Sequence, residues 1–297
     1  MGTTPVSKST AGTISGLATV LIWSWAAPVV AYAVGIDPFL YVALGDGIGA
    51  TVFLLMWLAL RQNPLPELRQ VPLWFYCLGL IGVGASNLAW VAAIQQAPPL
   101  EATLIIYTWP LLVVIFTTIT LSQRLRWYHV AGGAFGLAGI VALLMGRGLG
   151  SQGFQLAPGH FWAAVSALSW SIFSAISARY PYQSSNFLGV VFLLTAVVNG
   201  CIWYFKGAPP APAQSLLIAA TAAIFFTSCY AMWDFGMKHG NAQLIGVVSF
   251  LTPVLSAVYL VMLGMADLTS YLIISLVLVV TGIGVAKYGA SVPLSQR

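Results

Sequence analysis

Charged residues are scarce in this chain of 297 residues. Asp, Glu, Lys and Arg together make up 6% of the sequence, whereas soluble domains have about 25%. Hydrophobic residues make up 60%, and the mean hydropathy is +0.92. This composition excludes a protein that water surrounds on all sides, and it indicates an integral membrane protein.

Cysteine and catalytic motifs are scarce as well. Cys77, Cys201 and Cys229 lie within apolar segments without CxxC or Cys/His spacing, which favours neither a disulfide nor a metal site. The sequence also lacks a Ser/His/Asp set, an HExxH motif and a glycine-rich phosphate loop. We therefore predict no cofactor and no enzymatic activity, since an enzyme acting on lipid-linked substrates would need a polar catalytic cluster.

Long apolar runs, in contrast, fill most of the chain. Ten runs of about 20 residues are each long enough to cross about 30 Å of hydrocarbon as an α-helix, and none alternates as barrel strands do. The predicted fold is an all-α integral membrane protein with short loops. The ten predicted spans are 12–34, 38–60, 71–94, 99–121, 127–146, 158–178, 186–205, 213–237, 241–263 and 268–288.

The eleven basic residues are scattered through loops and form no patch, which argues against nucleic acid as a partner. In the ten-helix topology only Arg147 and Lys206 fall on one side of the membrane. The positive-inside rule then places both termini in the cytoplasm. The nine basic residues on the predicted cytoplasmic side are Lys8, Arg61, Arg69, Arg124, Arg126, Arg179, Lys238, Lys287 and Arg297.

The first apolar run also resembles a cleavable secretory signal, because it follows Lys8 and contains Ala31-Tyr32-Ala33. The run is longer than a signal core, and the internal repeat needs this helix. We therefore expect it to be retained as the first span.

The chain contains a weak internal repeat. Sliding the sequence by 143 positions superposes seven residues on identical ones without a gap, including Trp90 on Trp233 and Pro110 on Pro253. The match pairs the third to fifth helices with the eighth to tenth. Because each half then has five helices, the second half crosses the membrane in the opposite sense, which predicts an inverted-topology repeat.

We place the first five-helix repeat at residues 1–148 and the second, inverted repeat at residues 149–297. The glycine-rich stretch 146–153 is typical of a flexible joint between two halves.

Pro110 and Pro253 are predicted hinges. Each lies inside an apolar run, after an aromatic and a hydroxyl residue. A proline removes a backbone donor and bends a helix, and in lipid the freed carbonyl must find another partner. Two matched broken helices predict a transporter with its substrate site between the halves.

Six tryptophans lie deep within the predicted spans, and a buried indole needs a partner for its N–H group. Packing between helices explains any one of them, whereas a cluster on repeat-related helices suits a cavity for flat, partly apolar ligands. Asn87 shares a helix face with Trp90 and adds a polar group. The predicted substrate-binding residues are Trp23, Asn87, Trp90, Tyr107, Trp109, Trp170, Tyr230 and Phe250.

Ionisable groups within spans are functional candidates by default. Asp46 lies eight residues into the second helix, which is about 12 Å below the predicted outer surface. Asp234 precedes Lys238 by one helical turn, so a local ion pair is the first interpretation and a gate is the alternative. Asp46, Asp234 and Lys238 are therefore candidates for coupling or gating.

Ten helices in two inverted five-helix repeats resemble the drug/metabolite transporter superfamily and its EamA-type repeats. The resemblance covers essentially the whole chain. Three segments are moreover similar to the aromatic amino acid exporters of bacterial inner membranes. They are Tyr107-Thr108-Trp109-Pro110, Ser249-Phe250-Leu251-Thr252-Pro253-Val254-Leu255-Ser256 and Trp233-Asp234-Phe235-Gly236-Met237-Lys238-His239-Gly240-Asn241.

The resemblance implies export of phenylalanine, tyrosine, tryptophan and analogues by alternating access through a central cavity between the repeats. It implies a location in the bacterial inner membrane, with the lipid bilayer and a small-molecule substrate as partners, and we expect a monomer to function. A multidrug or other small-metabolite exporter of the same superfamily is the alternative, which competition by lipophilic cations would distinguish. A channel is disfavoured, because no acidic or carbonyl ring is apparent.

Overall fold

The structure is a computed structural model that describes residues 7–25, 29, 35–122, 126–149 and 156–291. These residues form helices joined by short connections, and nine of the described helices are long and apolar enough to cross a membrane. We label the helices α1 Lys8–Trp23, α2 Pro38–Ala59, α3 Leu73–Gln96, α4 Pro99–Thr120, α5 Trp127–Met145, α6 Pro158–Arg179, α7 Phe187–Phe205, α8 Ala213–His239, α9 Ala242–Met262 and α10 Ser270–Ser291.

The nine predicted spans after the first each coincide with one of α2 to α10, with ends that differ by a few residues. The first predicted span is described only in part: α1 has 16 residues, and residues 26–28 and 30–34 lie outside the described part of the chain. The Ala31-Tyr32-Ala33 segment lies there too, as do Arg124 and Arg297. The prediction of spans is therefore confirmed for nine helices, and the tenth stays a prediction.

Short sequence features set several helix starts. Pro38, Pro99 and Pro158 occupy the first helical positions, where a missing N–H group costs nothing. Asp37 caps α2, because its Oδ1 accepts a hydrogen bond from the backbone N–H of Phe39 (2.9 Å). Since successive helices joined by short loops are antiparallel, α2, α4, α6 and α8 begin at one end of the bundle, which we call the Pro38 end, and finish at the other, the His239 end.

Helix pairing follows a two-fold pattern. α1 packs along α8, α3 along α6, α2 along α7 and α5 along α10. Exchanging α1–α5 with α6–α10 turns the first of these pairs into the second and maps the other two onto themselves. A two-fold relation between two five-helix halves requires this pattern. The boundary between residues 148 and 149 stays a prediction, because residues 150–155 lie outside the described part.

Glycines let two of these helix pairs approach closely. A Cβ atom on Gly12 would lie 2.6 Å from the backbone nitrogen of Gly240, where α1 meets α8. A Cβ atom on Gly132 would lie 2.8 Å from the carbonyl oxygen of Gly282, where α5 meets α10. Small residues allow such backbone contact between membrane helices. The close pairs frame an interior in which α3, α4, α6 and α8 meet.

Apart from Phe250 of α9, the largest fully buried side chains of the described residues gather toward the His239 end of this interior. They belong to α3, α6, α7 and α8 and are fully enclosed. Side chains packed in this way fill the interior at that end of the bundle. The residues are Phe75, Phe173, Phe187, Phe192 and Trp233.

Candidate functional site

The α4 helix is interrupted at Tyr107 and Thr108, shortly before Pro110. Thr108 Oγ1 donates a hydrogen bond to the carbonyl oxygen of Ile105 (2.7 Å). The Ile105 carbonyl also accepts a hydrogen bond from the backbone N–H of Thr108 (3.1 Å), so the side chain adds a second bond to the turn at the break. The break is an observed feature of α4, and movement about Pro110 stays a prediction.

The α9 helix is interrupted at Ser249 and Phe250, shortly before Pro253. Ser249 Oγ donates to the carbonyl oxygen of Ile245 (2.7 Å), as Thr108 does in α4. Phe250 is fully buried, and its ring lies over Gly136 of α5, where a Cβ atom would be 2.3 Å from Phe250 Cδ2. The structure therefore places Phe250 in helix packing and not among the cavity-lining residues described next.

A cavity of about 290 Å³ lies at the centre of the bundle, toward the Pro38 end. The described residues that line it belong to α2, α3, α4, α6 and α8, together with Trp23 of α1 and Thr252 of α9. Pockets for drug-sized ligands usually have about 300–1,000 Å³, so this cavity suits a small metabolite. Eight lining residues are aromatic: Trp23, Tyr41, Trp90, Tyr107, Trp109, Trp170, Phe226 and Tyr230.

The rings of three helices meet in one cluster at this cavity. Trp23 of α1 lies 5.7 Å from Trp170 of α6 and 5.4 Å from Tyr230 of α8, between ring centroids. Trp170 and Tyr230 are 5.5 Å apart. All three contacts are edge-to-face, the arrangement that the ring quadrupoles favour. The cluster therefore forms a wall with aromatic faces and edges available to a flat ligand.

Trp233 packs against three rings of the cavity wall, on the side of the His239 end. Its ring lies 5.5 Å from Trp23, 5.5 Å from Trp109 and 5.7 Å from Trp170, between centroids. Trp233 is fully buried, and its indole N–H donates to Ser174 Oγ (3.0 Å). The indole hydrogen bond is thus made within the protein, which suits a structural floor better than a ligand contact.

Polar groups reach the cavity from α3. A π-helical segment, Leu80–Ala85, lies directly before Ser86 and Asn87, and such a segment shifts the face on which the next residues point. Tyr230 Oη donates to Asn87 Oδ1 (3.0 Å), which leaves the Asn87 Nδ2 amino group for another partner. These two residues are 143 positions apart, so the repeat-related sites are bonded directly to each other.

Asp46 and Thr252 supply further polar capacity to the cavity wall. Asp46 is 3% exposed, and its Oδ2 accepts a hydrogen bond from Thr195 Oγ1 of α7 (2.6 Å). Among the described lining residues it is the only Asp, Glu, Lys, Arg or His. The buried Thr252 hydroxyl has no hydrogen-bond partner among the described residues. A buried polar group in that condition indicates a position where a ligand or water completes the bonding.

Asp234 and Lys238 lie away from the cavity, nearer the His239 end. Lys238 Nζ is 2.5 Å from Asp234 Oδ2 and 2.8 Å from the carbonyl oxygen of Gln183, and both side chains are buried. The hydroxyl groups of Ser177 and Ser185 donate to the Asp234 carboxylate as well. The ion pair expected from their spacing is therefore present, and it joins α6, α8 and the connection between α6 and α7.

The sequence around this cavity matches a known protein family. The sequence matches the EamA-like transporter family twice, over residues 10–145 and over residues 157–287. This chain belongs to the EamA-like transporter family. It is accordingly a multi-pass membrane transporter with two EamA domains, and not an enzyme.

This EamA protein is similar to several bacterial transporters. The aromatic amino acid exporter YddG of Ancylobacter novellus is 36% identical over 95% of this chain and 98% of its own. The aromatic amino acid exporter YddG of Escherichia coli K12 is 27% identical over 86% and 90%. An uncharacterized inner membrane transporter of the same bacterium, YedA, is 28% identical over 60% and 56%. A protein crystal structure with 33% sequence identity superposes with a TM-score of 0.85, covering 95% of this chain and 98% of the other.

The cavity of this EamA protein contains most of the residues that the sequence indicated. Phe250 lies in the α5–α9 contact, Pro110 and Pro253 lie beside the helix breaks, and Asp234 and Lys238 form the ion pair nearer the His239 end. The predicted residues that line the cavity are Trp23, Asp46, Asn87, Trp90, Tyr107, Trp109, Trp170 and Tyr230. Their roles in binding or coupling stay predictions.

Sequence reasoning missed the small residues and two of the rings. Tyr41 and Gly45 of α2 are four residues apart, and Val42 and Asp46 form a neighbouring pair with the same spacing. In α8 the lining residues recur at three- and four-residue steps, which is the spacing of one helix face. The same spacing counted back from Asp46 and Tyr230 could have indicated Val42 and the α8 residues, whereas Tyr41 lies on the adjacent stripe of α2. The α8 residues are Ala219, Ala222, Ala223, Phe226, Thr227 and Tyr230.

Proposed function

We propose that this protein exports phenylalanine, tyrosine, tryptophan and their analogues across the bacterial inner membrane by alternating access. The observation that carries the proposal is the small central cavity with eight aromatic lining residues. Two relatives named as aromatic amino acid exporters, and a third named as an inner membrane transporter, support it.

The proposed contacts divide by chemistry. The ring of the substrate stacks against the aromatic wall, at about 0.5–1.5 kcal/mol per contact. The Asn87 amino group and the free Thr252 hydroxyl can donate hydrogen bonds to the substrate carboxylate. Several weak contacts of this kind give modest affinity, which suits a transporter because release must be easy. The stacking residues are Trp23, Trp90, Tyr107, Trp109 and Trp170.

The proposed transport cycle follows from the two ends of the bundle. With both termini in the cytoplasm, the Pro38 end is periplasmic and the cavity lies on the side where an exporter releases substrate. Trp233 and the Asp234–Lys238 ion pair then close the cytoplasmic side. The second state would open the His239 end while the Pro38 end closes, through movement of α4 and α9 at Pro110 and Pro253.

The test is uptake by proteoliposomes that contain the purified protein. We expect saturable uptake of radiolabelled phenylalanine and tryptophan that an excess of threonine does not inhibit. Trp109→Ala should weaken tryptophan transport about 2- to 10-fold, because it removes one stacking contact. Trp127→Ala is the matched control: Trp127 is 72% exposed at the start of α5 and should be dispensable.

Two results would contradict the proposal. One is the absence of aromatic amino acid uptake in vesicles shown to contain folded protein. The other is equal transport by the Trp109→Ala and Trp127→Ala variants at equal expression. This result would show that the substrate does not contact Trp109 in the cavity wall.

A further inference from the structure

The charge balance of the cavity is unequal, although an amino acid carries two opposite charges. Asp46 is an acid in the wall, and no Lys, Arg or His occurs among the described lining residues. Arg147, two residues after α5, is not among them, although its charge acts on Tyr107 of the wall. The described lining therefore offers a charged partner to an ammonium group, whereas the side-chain donors that it offers to a carboxylate, such as Asn87 and Thr252, are neutral.

The Asp46 carboxyl group has the capacity to bind an ammonium group. Thr195 makes the one hydrogen bond that the described residues donate to it, at Oδ2, and Asp46 is 3% exposed. A buried carboxylate needs several donors or an opposite charge to offset its lost hydration. A ligand ammonium group supplies both, because it carries a charge and up to three N–H donors.

The aromatic rings of the cavity wall also favour the ammonium end of a ligand. The faces of Trp and Tyr attract a cation within about 6 Å of the ring centre. Tyr41 lies on α2 five residues before Asp46, and Tyr230 faces the cavity from α8. A hydrogen bond from an ammonium group to Asp46 moreover carries a charge on both partners, whereas a bond from Asn87 or Thr252 to a substrate carboxylate carries a charge on the acceptor alone. The ammonium group should therefore contribute more to binding than the carboxylate does.

We infer that Asp46 is the ammonium-binding residue of this cavity, and that the cavity accepts aromatic amines without a carboxylate while rejecting aromatic acids without an ammonium group. Tryptamine and indole-3-propionate are the corresponding probes, because each keeps the indole ring of tryptophan. The inference rests on the function proposed above, since it assigns one group of the same cavity.

The first experiment uses the wild-type protein. Binding of tryptophan, tryptamine and indole-3-propionate is measured by titration calorimetry in lipid nanodiscs, and each compound also competes with labelled tryptophan in proteoliposomes. We expect tryptamine to bind within about 10-fold of tryptophan, and indole-3-propionate to bind at least about 10-fold more weakly than tryptamine. Competition with labelled tryptophan is measured instead of tryptamine uptake, because the neutral form of an amine crosses bilayers without a transporter.

The second experiment changes the acid. Asp46→Asn keeps the shape and the hydrogen bond with Thr195, and it should weaken tryptophan and tryptamine about 10- to 100-fold without changing indole-3-propionate. Asp46→Glu should restore part of the affinity because it restores the charge. Asp267→Asn is the control, since Asp267 is an exposed acid in the connection before α10.

The outcomes separate this inference from the proposed function. If tryptophan is transported but indole-3-propionate binds as well as tryptamine, or Asp46→Asn leaves both ammonium compounds unchanged, the ammonium site is wrong and the exporter stands. If tryptophan is not transported while tryptamine binds in an Asp46-dependent way, the exporter of amino acids is wrong and the ammonium site stands. If none of the three compounds binds, both are wrong.

Discussion

Trp90 and Trp233 are matched by the 143-residue repeat, yet they lie in opposite surroundings. Trp90 is 37% exposed and lines the cavity, whereas Trp233 is fully buried and donates its indole N–H to Ser174. The difference arises because the Pro38 end contains a cavity where the His239 end contains a packed core. The exposure of each tryptophan thus depends on whether its end of the bundle is open or packed. In a second transport state, we expect Trp90 to be buried and Trp233 to border a cavity.

The two buried acids differ in the same way. Asp234 receives hydrogen bonds from Ser177, Ser185 and Lys238. Asp46 receives one, from Thr195, and borders open space. Burial alone therefore does not identify a ligand-binding acid, because the protein satisfies one of these carboxylates and leaves the other with capacity for a partner.

The largest expected effect is on stability at the packed end. Trp233→Ala removes a fully buried indole with ring contacts to Trp23, Trp109 and Trp170, so we expect a loss of about 3–5 kcal/mol. Thermal unfolding of the protein in detergent would show this as a lower Tm and a lower yield of monodisperse protein.

Trp90→Ala is the matched variant at the cavity end. Because Trp90 already borders open space, its removal should change Tm far less and should instead weaken tryptophan uptake. Equal losses of Tm in the two variants would mean that the repeat-related tryptophans have the same structural role, and the contrast between the ends would fail.

Local features account for what the sequence could predict. Nine spans follow from long apolar runs, and the breaks in α4 and α9 lie next to the prolines because a proline acts on its own helix. The sequence could not distinguish Tyr107 from Phe250, since each is an aromatic residue three positions before a proline. Only the arrangement of neighbouring helices decides that Tyr107 faces the cavity and that Phe250 covers Gly136.

The next effect is on the closure of the His239 end. Asp234→Asn keeps the shape of the side chain but leaves the buried Lys238 ammonium without its charged partner. We expect the closed state to lose about 2 kcal/mol, which is a roughly 30-fold shift toward opening. In a protein whose three native cysteines are serines, Met237→Cys at the buried end should then react faster with a membrane-impermeant maleimide.

The control for this change is Asp267→Asn, which removes an exposed acid from the loop before α10. It should leave the labelling rate unchanged. If Asp234→Asn labels no faster than this control, the ion pair stabilises α8 and its neighbours without holding the end closed, and the gating interpretation is wrong.

The smallest expected effect is on an exposed contact at the packed end. Glu67, in the short helix Leu65–Gln70, accepts hydrogen bonds from Ser184 Oγ (2.6 Å) and Asn186 Nδ2 (2.9 Å). These bonds, with that of Ser184 first, hold the pKa of Glu67 below its usual value. Because the pKa is lower in the folded state, the stabilisation is complete above the unfolded value of about 4.3 and is lost as pH falls through the folded pKa.

Glu67→Gln should therefore lower Tm slightly at pH 7, since exposed polar contacts contribute little. The difference in Tm between this variant and the wild type should disappear as the pH falls below about 4. A difference that stayed constant down to the folded pKa and beyond would show that the ionised carboxylate is not what joins the 65–70 helix to the Ser184 loop. The packed end would then depend on its buried core and the Asp234–Lys238 pair, with no share from this surface contact.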